Sequence, residues 1–255
     1  MRCLFLIYLY LTLLPSAAFA MDHRAIAEYF APHIYQQTSS PTPLKEDYFT
    51  AFDYDSDWRN DNNEANLAYY PMRPVVYYSV QETGTHYFTG YYLYYPRTFG
   101  QQAGIITGFM LAIVKEGTKG TTVGIATYNH LDWQWQKTPL QPISVPASFT
   151  ITPSSHKSRR IEYFGGRTQL KGVKYAYHGK VFLTSGSYQL LPIEILQEGL
   201  QRPQQSLPSH LTAYLPPTPP WRWGGNDKDL WNYPAESFAR YISSISVRPN
   251  NKTHP

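Results

Sequence analysis

Six side chains between residues 53 and 64 have the types and the spacing of a calcium-binding loop. Counted from the first of them, they occupy positions 1, 3, 5, 7, 9 and 12: Asp53, Asp55, Asp57, Arg59, Asp61 and Glu64. Five carry carboxylates, and the residue at position 7 supplies a backbone carbonyl. Calcium takes roughly six to eight hard oxygen ligands, and alternate residues of a curling loop supply them. The spacing therefore predicts calcium as a cofactor of residues 52–66, which we call the acidic loop.

Two features separate the acidic loop from an EF-hand. Position 6, where the EF-hand turn needs glycine, is Trp58. The segment at the loop's exit, ANLAYYPMRP at 65–74, contains two prolines and cannot continue as a regular helix. The alternative interpretation is a solvated polar turn, because Asp and Asn favour turns whether or not they bind a metal.

Two pairs of tryptophans form a second candidate site. Trp133 and Trp135 alternate along DWQWQ and so share one face of a strand, and Trp221 and Trp223 are spaced in the same way. Paired indoles on one face can stack on sugar rings or lie at a membrane interface. These four residues are therefore predicted to bind a ligand. The alternative is burial between the sheet and a proline-rich surface segment at 201–220, since Trp is mostly buried.

No arrangement of nucleophile and base in the sequence identifies an enzyme. Ser187 lies in TSGSYQ, which lacks the G-x-S-x-G pattern of a nucleophile elbow, and no H-E-x-x-H motif occurs. His178 and Gly179 are predicted to form either a turn or a β-bulge between two strands. In a turn, His178 is the histidine freest to project, and it is a further ligand-binding candidate. A degenerate hydrolase that uses His178 with the acidic loop is one alternative to a non-catalytic protein. His86 is interpreted as a strand histidine.

The elements that must position these residues are mainly strands. Apolar, β-branched and aromatic runs bounded by turn residues predict strands at 75–80, 85–96, 105–115, 121–130, 147–151, 172–177 and 180–184. Short strands at this spacing predict a mainly β protein, an antiparallel β-sandwich with short peripheral α-helices. Helices are predicted at 23–35, where Pro32 ends or kinks the helix, at 192–199, and near the C-terminus around Phe238 and Tyr241.

The start of the chain predicts export. An apolar run at 4–14 precedes the A-x-A signal at 18–20, so residues 1–20 are predicted to be a signal peptide cleaved after Ala20. Residues 21–255 are predicted to form a single secreted or periplasmic domain without a transmembrane segment or a disulfide, since Cys3 is the only cysteine. A net charge of +4 without a long basic run argues against nucleic acid as a partner.

Three stretches resemble Vps62-related proteins and, more distantly, the necrosis-inducing secreted proteins. They are IAEYFAPHIY from Ile26, FDYDSDWRNDNN from Phe52 and VVYYSVQETGTHYFTGYYLYYPRTF from Val75. The resemblance implies a β-sandwich and a secreted or surface role. It also implies a divalent-ion site of acidic and histidine residues and action at host membrane lipids. This chain departs from the pattern at 98–104, where TFGQQAG replaces an acidic, His-containing motif, so the resemblance supports the fold more than an activity.

Together these features predict a secreted, non-catalytic binding or host-interaction protein of the virulence type, stabilised by calcium. Its surface ligand would be a glycan, a lipid or a protein. The first alternative is a carbohydrate-binding module that uses the tryptophan pairs, and the second is the degenerate hydrolase. A membrane-active protein is a third, and the absence of a basic amphipathic helix counts against it.

Overall fold

The computed structural model describes residues 22–38, 45, 48–59, 62–96, 104–116, 120–129, 132–135, 147–151, 159–163, 172–178, 180–185, 187–201 and 231–246. The helices are α1 (His23–Tyr29), α2 (Asn63–Asn66), α3 (Ile193–Gln201) and α4 (Pro234–Ser246). The strands are β1 (His33–Gln37), β2 (Val75–Glu82), β3 (His86–Tyr95), β4 (Ile105–Val114), β5 (Thr121–Asn129), β6 (Asp132–Trp135), β7 (Ala147–Ile151), β8 (Arg159–Tyr163), β9 (Val173–Tyr177), β10 (Lys180–Ser185) and β11 (Gln189–Pro192). The predicted signal peptide, and the proline-rich segment from residue 202 on, lie outside these ranges.

The strands form two sheets, which confirms the predicted mainly β sandwich. One sheet has five strands in the order β10-β9-β1-β8-β7, and the other has six in the order β11-β2-β3-β4-β5-β6. Most neighbouring strands are antiparallel, but each sheet also contains one parallel pair, β1 with β9 and β2 with β11. A parallel pair needs a long crossover connection, so the local strand pattern could not reveal it.

The first of two cores lies between the sheets. Ile34 and Val173 of the five-stranded sheet pack in one buried cluster with Tyr91, Leu93 and Phe109 of the six-stranded sheet. These residues alternate along their strands, as expected for side chains that face one side of a sheet. This core makes the two sheets a sandwich.

The second core covers the opposite face of the six-stranded sheet. Tyr92 and Tyr94 of β3 pack there with Phe52 of the acidic loop, Leu196 of α3 and Phe238 of α4. Because both faces of β3 are covered, every residue after its first is buried. Full burial of one large apolar side chain contributes about 1.5–3 kcal/mol. The tyrosine-rich strands are therefore central strands of a three-layered structure, and the acidic loop is part of the third layer.

The first helix is shorter than the predicted span of 23–35. It ends at Tyr29, and β1 begins at His33, so Ile34 enters the core from a strand and not from a helical face. Proline has no backbone N–H with which to continue a helix, and it restricts the residue before it to an extended conformation. The prediction that Pro32 ends the helix is confirmed, and the helical placement of Ile34 is wrong.

The other predicted strands and both later helices are confirmed, with boundaries that differ by a few residues. α4 buries Phe238 and partly buries Tyr241 and Ile242, as the helical spacing predicted. In the part of the chain that the structure describes, no helix is both long and apolar enough to cross a membrane.

Candidate functional site

The acidic loop lies on the six-stranded sheet and is anchored by its aromatic residues. Phe52 and Tyr54 are buried in the second core. The ring of Phe52 lies 4.7 Å from that of Tyr94, and its backbone N–H donates to the Tyr77 hydroxyl at 2.9 Å. Alternate residues of the loop therefore point into the protein, and the intervening ones are free to face outward.

Asp55 is an exception, because its carboxylate is buried. The residue is 4% exposed. One carboxylate oxygen accepts from Asn66 Nδ2 at 2.6 Å, and the other accepts from the backbone N–H of Asp57 at 3.3 Å. Burial raises the pKa of Asp55, and the neighbouring Asp57 carboxylate raises it further. Asp55 thus places a desolvated acid at the centre of the loop.

The carboxylates of Asp57 and Asp53 bind other parts of the loop and its exit. Asp57 accepts from the backbone N–H of Arg59 at 2.7 Å and from Asn62 Nδ2 at 2.8 Å. Asp53 lies 3.8 Å from the guanidinium of Arg73, which also donates to the Asp53 carbonyl at 3.3 Å. Such side-chain to backbone bonds are the usual way in which Asp fixes a turn. They hold the loop in one conformation.

Asn63 joins the loop to the sheet, and sequence reasoning missed it. Its side chain is buried and lies 2.7 Å from the Tyr94 hydroxyl. With the amide nitrogen turned toward the loop, it donates to Asp55 at 3.3 Å and to the Arg59 carbonyl at 3.1 Å, while Tyr94 donates to its oxygen. The Tyr54 hydroxyl donates to the Asn63 carbonyl. Asn63 and Asn66 were visible in the sequence as part of an Asn-rich run, but nothing there distinguished them from solvated turn residues.

Trp58, which stands where an EF-hand has glycine, is an anchor of the loop. Its indole stacks on Phe52 with ring centroids 5.8 Å apart and packs against Gly199 of α3. The left-handed backbone conformation falls on Ser56 instead, at a φ of 72°. The loop therefore reverses direction two residues earlier than an EF-hand loop would.

The predicted calcium ligands are only partly brought together. Within the described ranges, which omit Asp61, no three His, Cys, Asp or Glu side chains gather as a metal site would require. Asp55 and Asp57 are close enough to interact electrostatically. Each carboxylate oxygen has two lone pairs, so a donor within the loop leaves room for a cation. Calcium binding at the acidic loop therefore stays a prediction.

An exposed tyrosine pair follows the acidic loop and forms the tyrosine shelf, defined as Tyr69 and Tyr70. The two residues are 81% and 37% exposed. Their backbone N–H groups both donate to the Asn66 carbonyl, at 3.0 and 3.2 Å. Lys45 Nζ donates to the carbonyls of Ala68 and Tyr70 at 2.9 and 3.1 Å. The rings are exposed, yet the backbone that carries them is fixed. The Tyr-Tyr-Pro sequence in a loop was the signal that could have found them.

Trp135 is the predicted tryptophan whose surroundings the structure describes. Its ring lies 4.8 Å from Phe238 and 5.9 Å from Tyr241, and its Nε1 donates to Ser237 Oγ at 3.2 Å. It therefore packs under α4. The side chain of Trp133, together with Trp221 and Trp223, lies outside the described part of the chain, so a role in ligand binding stays a prediction for these tryptophans.

His178 lies in the turn between β9 and β10, as predicted. It is exposed, has a φ of 46°, and its ring contacts Tyr177 with centroids 4.2 Å apart. β9 belongs to the five-stranded sheet, whereas the acidic loop packs on the outer face of the six-stranded sheet. The structure therefore places His178 and the acidic loop on different layers of the protein.

No family model and no curated protein matches the chain. Solved structures match it at low similarity. NLPPya in complex with glucosamine is 12% identical with a TM-score of 0.40, covering 76% of this chain and 83% of its own. A non-toxic HaNLP3 protein is 11% identical with a TM-score of 0.37, covering 72% and 81%. Necrosis and Ethylene inducing Protein 2, from the causal agent of cocoa's Witches Broom disease, is 10% identical with a TM-score of 0.36, covering 76% and 84%.

Identities and TM-scores this low carry no argument about function. The third of these proteins is named as a necrosis-inducing protein. That is the class to which the sequence shows the more distant of its two resemblances. The resemblance to Vps62-related proteins stays a prediction.

Proposed function

We propose that the protein is an exported, non-catalytic binding protein that takes a glycan on the tyrosine shelf, beside the acidic loop. The observation that carries the proposal is that Tyr69 is 81% exposed although hydrogen bonds fix the backbone around it. Its own N–H donates to the Asn66 carbonyl, and Lys45 donates to the carbonyl of Ala68. Covering a large exposed ring with a ligand removes apolar surface from water, which is favourable. A rigid aromatic side chain also loses little conformational entropy when a ligand covers it. Both terms favour a ligand on the shelf.

A glycan suits this surface because of what surrounds the rings. A sugar ring has an apolar C–H face that can stack on a tyrosine and hydroxyl groups that donate to carboxylates. The partly exposed carboxylates of Asp53 and Asp57 lie on the adjoining loop, and Arg73 is largely exposed at its exit. Acceptors and a donor thus lie on the segments that flank the shelf in sequence.

Calcium at the acidic loop is a second part of the proposal. It is supported by the closeness of Asp55 and Asp57 and by the burial of Asp55, because a cation would offset both the repulsion and the desolvation. The ion would stabilise the loop that adjoins the shelf. In this proposal it takes no part in a reaction.

Export is the third part of the proposal and is supported by the sequence at 1–20. Fractionation of cells that make the full chain, followed by N-terminal sequencing of the exported form, tests it. The proposal expects Met21 as the new N-terminus. A protein that keeps residues 1–20 and stays inside the cell contradicts it.

The binding proposal is tested with a glycan panel that includes glucosamine and mannosamine, and with lipid vesicles of neutral and anionic composition. The proposal expects a glycan to bind and expects the Tyr69→Ala/Tyr70→Ala variant to lose that binding. Tyr233→Ala is the matched control, because Tyr233 is 56% exposed elsewhere on the surface. Binding to vesicles alone, or equal loss with Tyr233→Ala, contradicts the proposal.

A further inference from the structure

We propose that α4 is a cover that mild acid releases from the six-stranded sheet, with His86 as the residue that responds to the proton. The inference does not depend on the proposed glycan site, which adjoins the acidic loop. It concerns the surface between α4 and the start of β3. α4 is the last helix of the described chain and lies over the edge of the second core.

Aromatic contacts around Phe238 attach α4 to the sheet. Phe238 is buried, and its ring lies 6.0 Å from Phe88 and 4.8 Å from Trp135. Gly124 of β5 makes room for it, since an added Cβ there would lie 2.6 Å from Phe238 Cε2. By contrast, Glu236, Ala239, Arg240, Ser243 and Ser244 are exposed. Phe238 is therefore the most deeply buried apolar side chain that α4 contributes to this contact, with Ala235, Tyr241 and Ile242 packed less deeply beside it.

His86 forms part of the surface on which Phe238 rests. Its ring lies parallel to Phe88, with centroids 5.8 Å apart and an interplanar angle of 21°, and edge-on to Phe238 at 5.8 Å and 67°. Its Nδ1 pairs with Thr85 Oγ1 at 2.8 Å. The imidazole thus contacts one ring of the sheet and one ring of the helix. A positive charge there would be partly desolvated on both sides.

The charged groups on the elements around His86 are Glu82 on β2, Lys115 after β4, and Glu236 and Arg240 on α4. Glu82 is bound by Lys115 at 2.6 Å. Both charged residues of α4 are exposed. The pKa of His86 is lowered, and the cause is burial alone, without a contribution from a neighbouring charge.

The direction of the effect follows from proton linkage. In the docked state burial lowers the pKa of His86 from its ordinary value of about 6.5, and the pKa rises toward that value once the helix leaves. Docking is therefore strongest above about pH 6.5, weakens as the pH falls from there to the docked-state pKa, and levels off below it. Each unit of difference between the two pKa values changes the docking equilibrium about tenfold. Release would uncover Phe88, Trp135 and the apolar residues beside Gly124.

Hydrogen exchange of the purified full chain tests the proposal. Protection factors of the α4 amides, which divide out the intrinsic pH dependence of exchange, are compared at about pH 7.5 and about pH 5. The proposal expects protection in α4 to fall by the same factor as the docking equilibrium, while protection in β3 stays constant. Phe238→Ala, which removes the anchor, gives the values for a released helix. Unchanged protection of α4 overturns the proposal.

Two further measurements identify the group that responds. His86→Phe keeps an aromatic ring and cannot titrate, so its α4 protection is expected to stay constant with pH. His23→Gln, at an exposed histidine that pairs with Glu82, is the matched control and is expected to behave as wild type. The pKa of His86 in the wild-type protein, measured by NMR, is expected below 6.5. A wild-type pH response in His86→Phe, or a pKa at or above the ordinary value, overturns the assignment to His86.

Discussion

Gly199 of α3 lies where any larger residue would overlap the indole of Trp58. This contact joins the acidic loop to a helix more than one hundred residues later in the chain. It also explains why the loop has tryptophan at the position that a calcium loop gives to glycine. The acidic loop is therefore fixed by packing as well as by its own hydrogen bonds.

Gly199→Ala is expected to lower the free energy of unfolding by about 1–3 kcal/mol, because an added methyl group in a filled site forces its neighbours to shift. Urea unfolding measures the change. Gly84→Ala is the matched control, since an added Cβ there meets no atom within 4 Å. Equal effects of the two substitutions would show that the contact between Trp58 and Gly199 is not tight in solution.

The contributions of Asn63 and Tyr94 to the free energy of unfolding are expected to be strongly coupled, because the two side chains share a hydrogen bond. Tyr94→Phe should cost about 1–3 kcal/mol, because it leaves a buried amide without its partner. Asn63→Ala should cost more, since it also removes the contacts to Asp55 and Arg59. The double variant should lose about 1 kcal/mol less unfolding free energy than the sum of the losses in the two single variants. Strict additivity of the unfolding free energies would contradict the network.

Asp55 gives the loop a pH dependence of opposite sign to that of an ordinary salt-bridged acid. Burial raises its pKa in the folded state, so its favourable contribution is full below the unfolded pKa of about 3.9 and is lost as the pH rises through the folded pKa. In the presence of a chelator, the unfolding free energy of wild type relative to Asp55→Asn is expected to fall as the pH rises. A relative stability that grows with pH would contradict the prediction.

Calcium is expected to reverse that trend, because a bound cation favours the ionised carboxylate. Calorimetric titration of the protein with calcium should release or absorb heat in wild type. Asp55→Ala and Asp57→Ala should abolish it, and Glu28→Gln, which alters a partly exposed acid on α1, should not. If wild type binds no calcium and its melting temperature does not rise with calcium, the acidic loop is a polar turn and not a metal site.

The fold was largely predictable from sequence, because residue type and the length of the apolar runs identify most strands. The parallel pairs were not, since β1 and β11 are short and join partners far away in the chain. Ile34 was misplaced because its helical spacing from Ile26 and Phe30 is also compatible with a strand after Pro32 that enters the same core. The acidic loop was recognised by composition. The roles of Asn63 and Trp58 depend on Tyr94 and Gly199, and no local pattern connects residues so distant in sequence.

The most direct test of the central claim is the affinity of the best-binding glycan of the panel for wild type, Tyr69→Phe and Tyr69→Ala. If the sugar stacks on the shelf, the phenyl ring should retain most of the affinity. The alanine variant should lose about tenfold, which corresponds to about 1.4 kcal/mol. Both variants should unfold at the same denaturant concentration as wild type, because the side chain is exposed. An alanine variant that binds as tightly as wild type would show that the glycan does not bind at the tyrosine shelf.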